Sequence, residues 1–245
     1  IRECLSLNGI VIQYGEMFYI LYGQDDFSLH QAVEKIKTDL GDSEMLAVNS
    51  IKLDGERLNL NELRSNCSVA PFLSPFRLVI VKGLLGRFEP RQGKPRPGKS
   101  ITKSKNELGE WQGLASYIKQ MPETTVLILA DSKISGYSPL LKKLSPLAKV
   151  KVFPLLRGGS LRTWIQKRVT SEGGIITPQA VNLLAELIGG DLWAMNNEIH
   201  KLLLYAQRRS IDEGDVRCLV SYAQEVNIFA LVDAVLQGQI KAAQR

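Results

Sequence analysis

Residues 18–30 (FYILYGQDDFSLH) run in the order of a phosphate-binding site: apolar strand, glycine turn, helix. Such a loop needs G-x-x-x-x-G-K-[ST], in which glycine amides cradle phosphate, the lysine reaches the terminal phosphates and the hydroxyl holds Mg²⁺. Counted from Gly23, the positions for the second glycine, the lysine and the hydroxyl hold Ser28, Leu29 and His30. There is no lysine, and Asp25 and Asp26 put negative charge where phosphate would lie. Phosphoryl transfer also needs an acid at the end of an apolar strand to hold Mg²⁺. The strand candidate 78–81 ends in Lys82-Gly83, and the candidate 125–129 ends near Asp131. One carboxylate without a lysine cradle is not a site. Gly23, Ser28 and Leu29 therefore mark a degenerate phosphate loop, for which no nucleotide, metal, cofactor or ATP hydrolysis is expected.

Other chemistry is sparse. No G-x-G-x-x-G supports a dinucleotide. Paired acids such as Asp25/Asp26 read better as helix caps than as a general acid and base, because nothing predicts a shared cleft. The two histidines, His30 and His200, fall in amphipathic helical patterns away from any nucleophile motif. Cys4, Cys67 and Cys218 are far apart and form no CxxC pair, so neither a disulfide framework nor a zinc site is supported. A reducing cytoplasm is the simplest location.

Two stretches are unusual. Within residues 84–106, Arg87, Arg91, Lys94, Arg96, Lys99, Lys103 and Lys105 face the single acid Glu89, among Pro90, Pro95 and Pro97. This is a flexible basic loop, either a phosphate or DNA contact or a merely solvated segment. The other is residues 70–76 (APFLSPF). Pro71 and Pro75 each remove a backbone donor and push the preceding residue out of helical geometry. Phe72 and Leu73 thus sit in irregular chain just before a buried-looking strand. Loops are normally polar surface elements, so this apolar tip needs a core pocket beneath it or a partner above it.

The elements that must position these residues follow from periodicity. Apolar runs at 18–22, 78–81 and 125–129 read as buried strands, with weaker candidates at 45–53, 150–152 and 10–12. Helical spacing appears at 29–40, 58–67 (capped by Asn59 or Asn61), 107–120 and 137–147, the last broken by Pro139 and Pro146. Alternating strands and helices predict a doubly wound, mostly parallel α/β domain over residues 17–156. After Pro154 only helical patterns remain. Caps at Thr177-Pro178, Asp191 and Asp212 predict a small all-α helical domain over 157–226. Residues 227–245 begin a third helical segment that the chain does not complete. Residues 1–16 precede Met17 as an N-terminal extension; whether they are native stays open. The 245 residues, with 44% hydrophobic and 23% charged content, suit one large or two ordinary domains. No run reaches the roughly 18 apolar residues of a membrane span. The start carries Glu3 and a broken apolar run, unlike a secretory signal. A net charge of +6 and a pI near 9.2 permit a polyanionic partner without requiring one.

In order and spacing, FYILYGQDDF, APFLSPFRLVIVKG, TTVLILAD, LRTWIQKRV, ITPQAVNLLAELIGGDLWAMNNEIHKLLLYA, IDEGDVRCLVS and NIFALVDAVLQG resemble the delta subunit family of bacterial DNA polymerase III. The resemblance runs from Phe18 to Arg245. It implies an ATPase-like (AAA+/P-loop type) first domain without a working nucleotide site, a lid-like helical domain and a collar domain begun at 227–245. It further implies a non-catalytic clamp-loader subunit of a DNA-directed DNA polymerase holoenzyme, acting on the sliding clamp (beta subunit) and favouring its open form. Other loader subunits would be held through the collar, and DNA met only as part of the assembled loader. By position, the clamp contact falls on Ala70, Pro71, Phe72 and Leu73. Ala70 departs from the larger side chain some members carry, and Pro71 replaces a more flexible residue. The remaining alternatives are a DNA-binding module using the basic loop and a divergent DNA-dependent ATPase.

Overall fold

The structure is a computed structural model that describes residues 17–41, 43–89, 108–132, 134 and 136–220. The basic positions 91–105, the extension 1–16 and the third segment 227–245 lie outside the described residues. The chain divides into two compact units between Pro154 and Leu155.

The first unit is an α/β sandwich. Strands β1 (Phe18–Tyr22), β2 (Ser50–Asp54), β3 (Arg77–Lys82), β4 (Thr125–Asp131) and β5 (Lys149–Val152) form one parallel sheet in the order β2-β3-β4-β1-β5. The central strands are β-branched and leucine-rich, and successive side chains enter cores on opposite faces. Phe18, Ile20, Val79, Val81, Leu127 and Leu129 meet Leu63 and Cys67 of α3 (Leu60–Ser68), Leu114 of α4 (Leu114–Ile118) and Leu140 of α5 (Pro139–Leu144). Tyr19, Leu21, Leu78, Ile80, Val126 and Ile128 meet Leu29, Val33, Ile36 and Leu40 of α1 (Asp26–Leu40) and Leu46 of α2 (Ser43–Val48).

Three local expectations change. The strand read over 45–53 is α2 followed by a shorter β2. Its helical turn is closed by side chains that follow it: Asn49 Nδ2 donates to the Met45 carbonyl at 2.8 Å and Ser50 Oγ to the Leu46 carbonyl at 2.5 Å. The Ser50 hydroxyl serves a carbonyl of the last turn, and the Met45 carbonyl also accepts from Asn49 N–H at 3.3 Å. The helix read over 107–120 is a 3-10 segment, Gly109–Gly113, leading into the five-residue α4. Gly109, at φ +49, gives the segment its start, and Trp111 and Leu114 still face the core. Pro139 starts α5 rather than breaking it, because a proline in the first turn has no helical donor to lose.

The second unit packs α6 (Gly158–Ser171), α7 (Pro178–Ile188), α8 (Leu192–Ala206) and α9 (Glu213–Leu219) around Ile165, Val169, Leu184, Met195, Ile199, Leu202 and Val216. Thr177, Asp191 and Asp212 accept from first-turn amides as N-caps. It is not wholly helical: β6 (Ile175–Ile176) and β7 (Ser210–Ile211) form a two-residue parallel ladder. That ladder ties the starts of α7 and α9 together, reinforced by Thr177 N–H donating to the Ile211 carbonyl at 2.9 Å. The Arg209 guanidinium forks onto the Asp215 carboxylate and holds it well below the ordinary carboxylate range, at about 2. Among the described residues, no helix is long and apolar enough to cross a membrane.

Candidate functional site

In parallel α/β sheets, ligands bind beyond the carboxyl ends of the strands, where the strand order reverses. Here that place is the turn after β1. Gly23 makes the turn at φ +141, and a Cβ there would lie 2.1 Å from the Phe153 carbonyl oxygen, so only glycine fits. Two amides of this turn are already bonded within the chain. Gly23 N–H donates to the Asp131 carbonyl at 3.1 Å and Asp25 N–H to the Phe153 carbonyl at 3.0 Å. Asp25 is buried, and its carboxylate accepts from Ser28 N–H at 2.9 Å, capping α1. The chain's own acid therefore occupies the helix N-terminus that an anion would otherwise use. Leu29, at the position required for lysine, is buried in the core below α1.

Asp131, the acid closest to a metal-binding position, is also committed. It is 6% exposed, and its Oδ2 accepts from Leu85 N–H at 2.8 Å and Gly86 N–H at 3.4 Å. Burial outweighs these two donors and pushes the carboxyl up to about 6, with Glu89 and Glu56 adding repulsion. The group staples the β3 exit loop. Among the described residues, no cluster of three or more His, Cys, Asp or Glu could hold a metal.

The loop between α3 and β3 behaves differently. Phe72 is 65% exposed and Leu73 77% exposed, so no core pocket lies beneath them. Ala70 is exposed and Pro71 half-buried, whereas Phe76 packs against the α1-side core. Leu73 stands at φ +49, in the left-handed region that non-glycine residues rarely adopt. Both ends of the loop are held. Thr125 Oγ1 donates to the Cys67 carbonyl at 2.8 Å and Arg77 Nε to the Asn66 carbonyl at 2.8 Å. Ser74 Oγ bridges the Phe76 amide and carbonyl at 3.4 and 3.2 Å. In the middle, buried Asn49 bonds both main-chain groups of Phe72, accepting at 2.6 Å and donating at 2.8 Å. Nothing in the sequence marks Asn49, since a lone asparagine in a stretch read as a strand carries no functional signal. Met45, Val48 and Val69 add exposed apolar surface on α2 and at the end of α3.

Of the basic residues, Arg87 alone is described. Its Nη1 donates to the Gly55 and Leu58 carbonyls at 2.9 and 2.8 Å, and its guanidinium lies 5.7 Å from the centroids of Phe88 and Trp111. It ties the loop after β3 to the turn before α3. Arg91, Lys94, Arg96, Lys99, Lys103 and Lys105 lie outside the described residues.

The parallel sheet has an ATPase-like strand order, and it carries a phosphate turn tied by its own main-chain bonds and a displayed apolar loop. The family model for the DNA polymerase III delta subunit matches residues 19–153, and the chain belongs to that family. It is 27% identical over 223 residues to DNA polymerase III subunit delta of Bacillus subtilis, covering 89% of this chain and 60% of the relative. It is 22% identical over 228 residues to the probable subunit of Aquifex aeolicus, covering 90% and 60%. The solved clamp loader delta protein of Bacillus subtilis matches in fold with a TM-score of 0.63 at 24% identity, covering 94% of this chain and 65% of that one. The chain thus spans about 60% of the length of the curated relatives it matches.

Proposed function

We propose that this chain is the clamp-docking part of a clamp-loader subunit, which binds a sliding clamp through Ala70, Pro71, Phe72 and Leu73 and favours its open form for loading onto primed DNA. The observation that carries this is the display of Phe72 and Leu73 on a loop hydrogen-bonded from both ends and from its middle. Exposed paired anchors on an ordered loop suit insertion into an apolar pocket. The work is differential binding: the clamp is opened to the extent that the loop binds its open form more tightly than its closed one. No covalent step is required. ATP turnover belongs to other subunits of the loader, which this chain joins through a collar segment, and DNA is met by the assembled particle.

The test is clamp binding by Phe72→Ala plus Leu73→Ala, measured with the cognate sliding clamp by surface plasmon resonance. Truncating one buried anchor costs about 2–4 kcal/mol, so affinity should fall at least about 30-fold. Unchanged affinity in a variant with an intact circular dichroism spectrum refutes the assignment.

A further inference from the structure

On the clamp-docking reading of Phe72 and Leu73, we infer that Asn49 is the positioning residue of the docking loop, fixing the direction in which Phe72 is presented. Asn49 is 2% exposed. Its Oδ1 accepts from the Phe72 amide at 2.6 Å, and its Nδ2 donates to the Phe72 carbonyl at 2.8 Å and the Met45 carbonyl at 2.8 Å. Both amide hydrogens are spent. The reversed amide would set Nδ2 against an N–H and Oδ1 against two carbonyls, so only one orientation satisfies the site.

A bond to both the N–H and the C=O of one residue copies a rung of an antiparallel ladder. It fixes the two peptide planes that flank Phe72, and with them the Cα–Cβ direction. That direction leads outward, since the Phe72 side chain is exposed. Asn49 is itself anchored to the central sheet, because its carbonyl accepts from Leu78 N–H of β3 at 2.9 Å. A continuous hydrogen-bonded path thus runs from β3 through Asn49 to the apolar tip. The next residue, Leu73, holds a left-handed backbone that persists only where its surroundings over-determine it. Asn49 holds the residue before it, Phe72, and Pro75 restricts the residue after it, Ser74. A tip ordered before it docks loses less conformational freedom on docking.

The experiment is a double-mutant cycle in the full chain, pairing Asn49→Ala with Phe72→Ala and measuring affinity for the cognate clamp. Asn49→Ala alone should weaken binding by about 5- to 30-fold, the cost of ordering one residue's backbone on docking. Because the effect acts through the Phe72 side chain, it should shrink to within about twofold in the Phe72→Ala background. Amide exchange at Phe72, read by mass spectrometry on the free protein, should accelerate at least ~10-fold while β3 stays protected. Equal losses in both backgrounds, or no loss despite accelerated exchange, overturn the positioning role and leave the docking reading standing. Full affinity in Phe72→Ala overturns the docking reading itself. Should Asn49→Ala fail to fold, Asn49→Ser, whose hydroxyl keeps one donor and one acceptor, replaces it in the cycle: a loss confined to the Phe72 background supports the positioning role, and equal losses in both backgrounds overturn it.

Discussion

Replacing Asp131 with asparagine should stabilise the first unit at neutral pH and leave it unchanged in acid. The carboxyl is held at about 6 in the folded protein, against an ordinary aspartate value near 4. A folded group that keeps its proton to higher pH favours the folded state in acid. Its contribution is fully present below about pH 4 and is lost as the pH rises through about 6. A difference of about two pH units is worth about 3 kcal/mol. Both amide donors, from Leu85 and Gly86, converge on one oxygen, Oδ2. Asparagine can place its single oxygen there and keep both bonds, without a buried charge. The preference of these donors for a carboxylate over a neutral acceptor is already contained in the net shift, so the gain at pH 8 is the whole difference, about 3 kcal/mol. The assay is urea unfolding between pH 4 and 8, followed by Trp111 fluorescence with Trp164 and Trp193 replaced by phenylalanine. Trp111 is buried in the first unit, so it reports that unit alone. The quantity to read is the stability difference between Asp131→Asn and its parent, in which groups titrating elsewhere cancel. A difference that stays flat across this range, or that shows the variant losing stability as the pH rises, refutes the claim that burial outweighs the two donors.

Two further outcomes follow from the closed phosphate turn and one from the thiols. Gly23→Ala should cost about 3 kcal/mol or more on the same fluorescence assay, combining a forbidden φ with a clash against a carbonyl oxygen. Asp25→Ala should cost about 1 kcal/mol as a lost N-cap. It should still show no ATP binding by calorimetry, because Gly23 and Asp25 amides stay bonded to Asp131 and Phe153 carbonyls; a Kd tighter than about 1 mM would refute the closed-turn reading. Burial pushes the Cys67 thiol up to about 12, whereas Cys218 is exposed. Peptide mapping after brief alkylation at pH 8 should therefore find Cys218 modified and Cys67 protected until urea unfolds the chain.

What was legible in the sequence is what a local pattern decides. Continuous apolar runs gave β1, β3 and β4 because strands covered on both faces need no alternation. Side-chain caps made Asn59, Thr177, Asp191 and Asp212 readable, since a cap acts within three residues. The missing phosphate lysine was legible too, being a fixed spacing from Gly23. What escaped was set by distant partners. Arg87 is indistinguishable in sequence from the basic residues that follow it, and its attachment depends on the Gly55 and Leu58 carbonyls some thirty residues upstream. Helix α2 is six residues long and is closed by Asn49 and Ser50, so propensity alone could not separate it from the strand it runs into. Asn49 itself serves a residue 23 positions away. The apolar loop itself was legible, because two prolines around an apolar pair mark irregular chain locally, but its exposure was not, since a core pocket beneath Phe72 and Leu73 fitted the same residues.

The closed turn and the displayed loop bear on one another through the sheet. In an ATPase of this architecture, a ligand at the β1–α1 turn can change the geometry of the strand ends. Here that turn is bonded to β4 through Asp131 and to the residue after β5 through Phe153. No ligand is needed to order it. The same sheet carries β3, to which Asn49 and so Phe72 are tied. On the proposed reading, this gives a docking tip whose geometry is constant while nucleotide states change elsewhere in the loader. A constant tip cannot drive a cycle, but it can bias a clamp between open and closed forms by the difference in its affinity for the two. On the same reading, cycling comes from changes in whether the tip is accessible and not from changes in its shape. The expected signature is that the isolated chain binds its clamp with the same affinity in the presence and absence of ATP. An ATP-dependent change in that affinity would place the switch inside this chain and contradict the bonded turn.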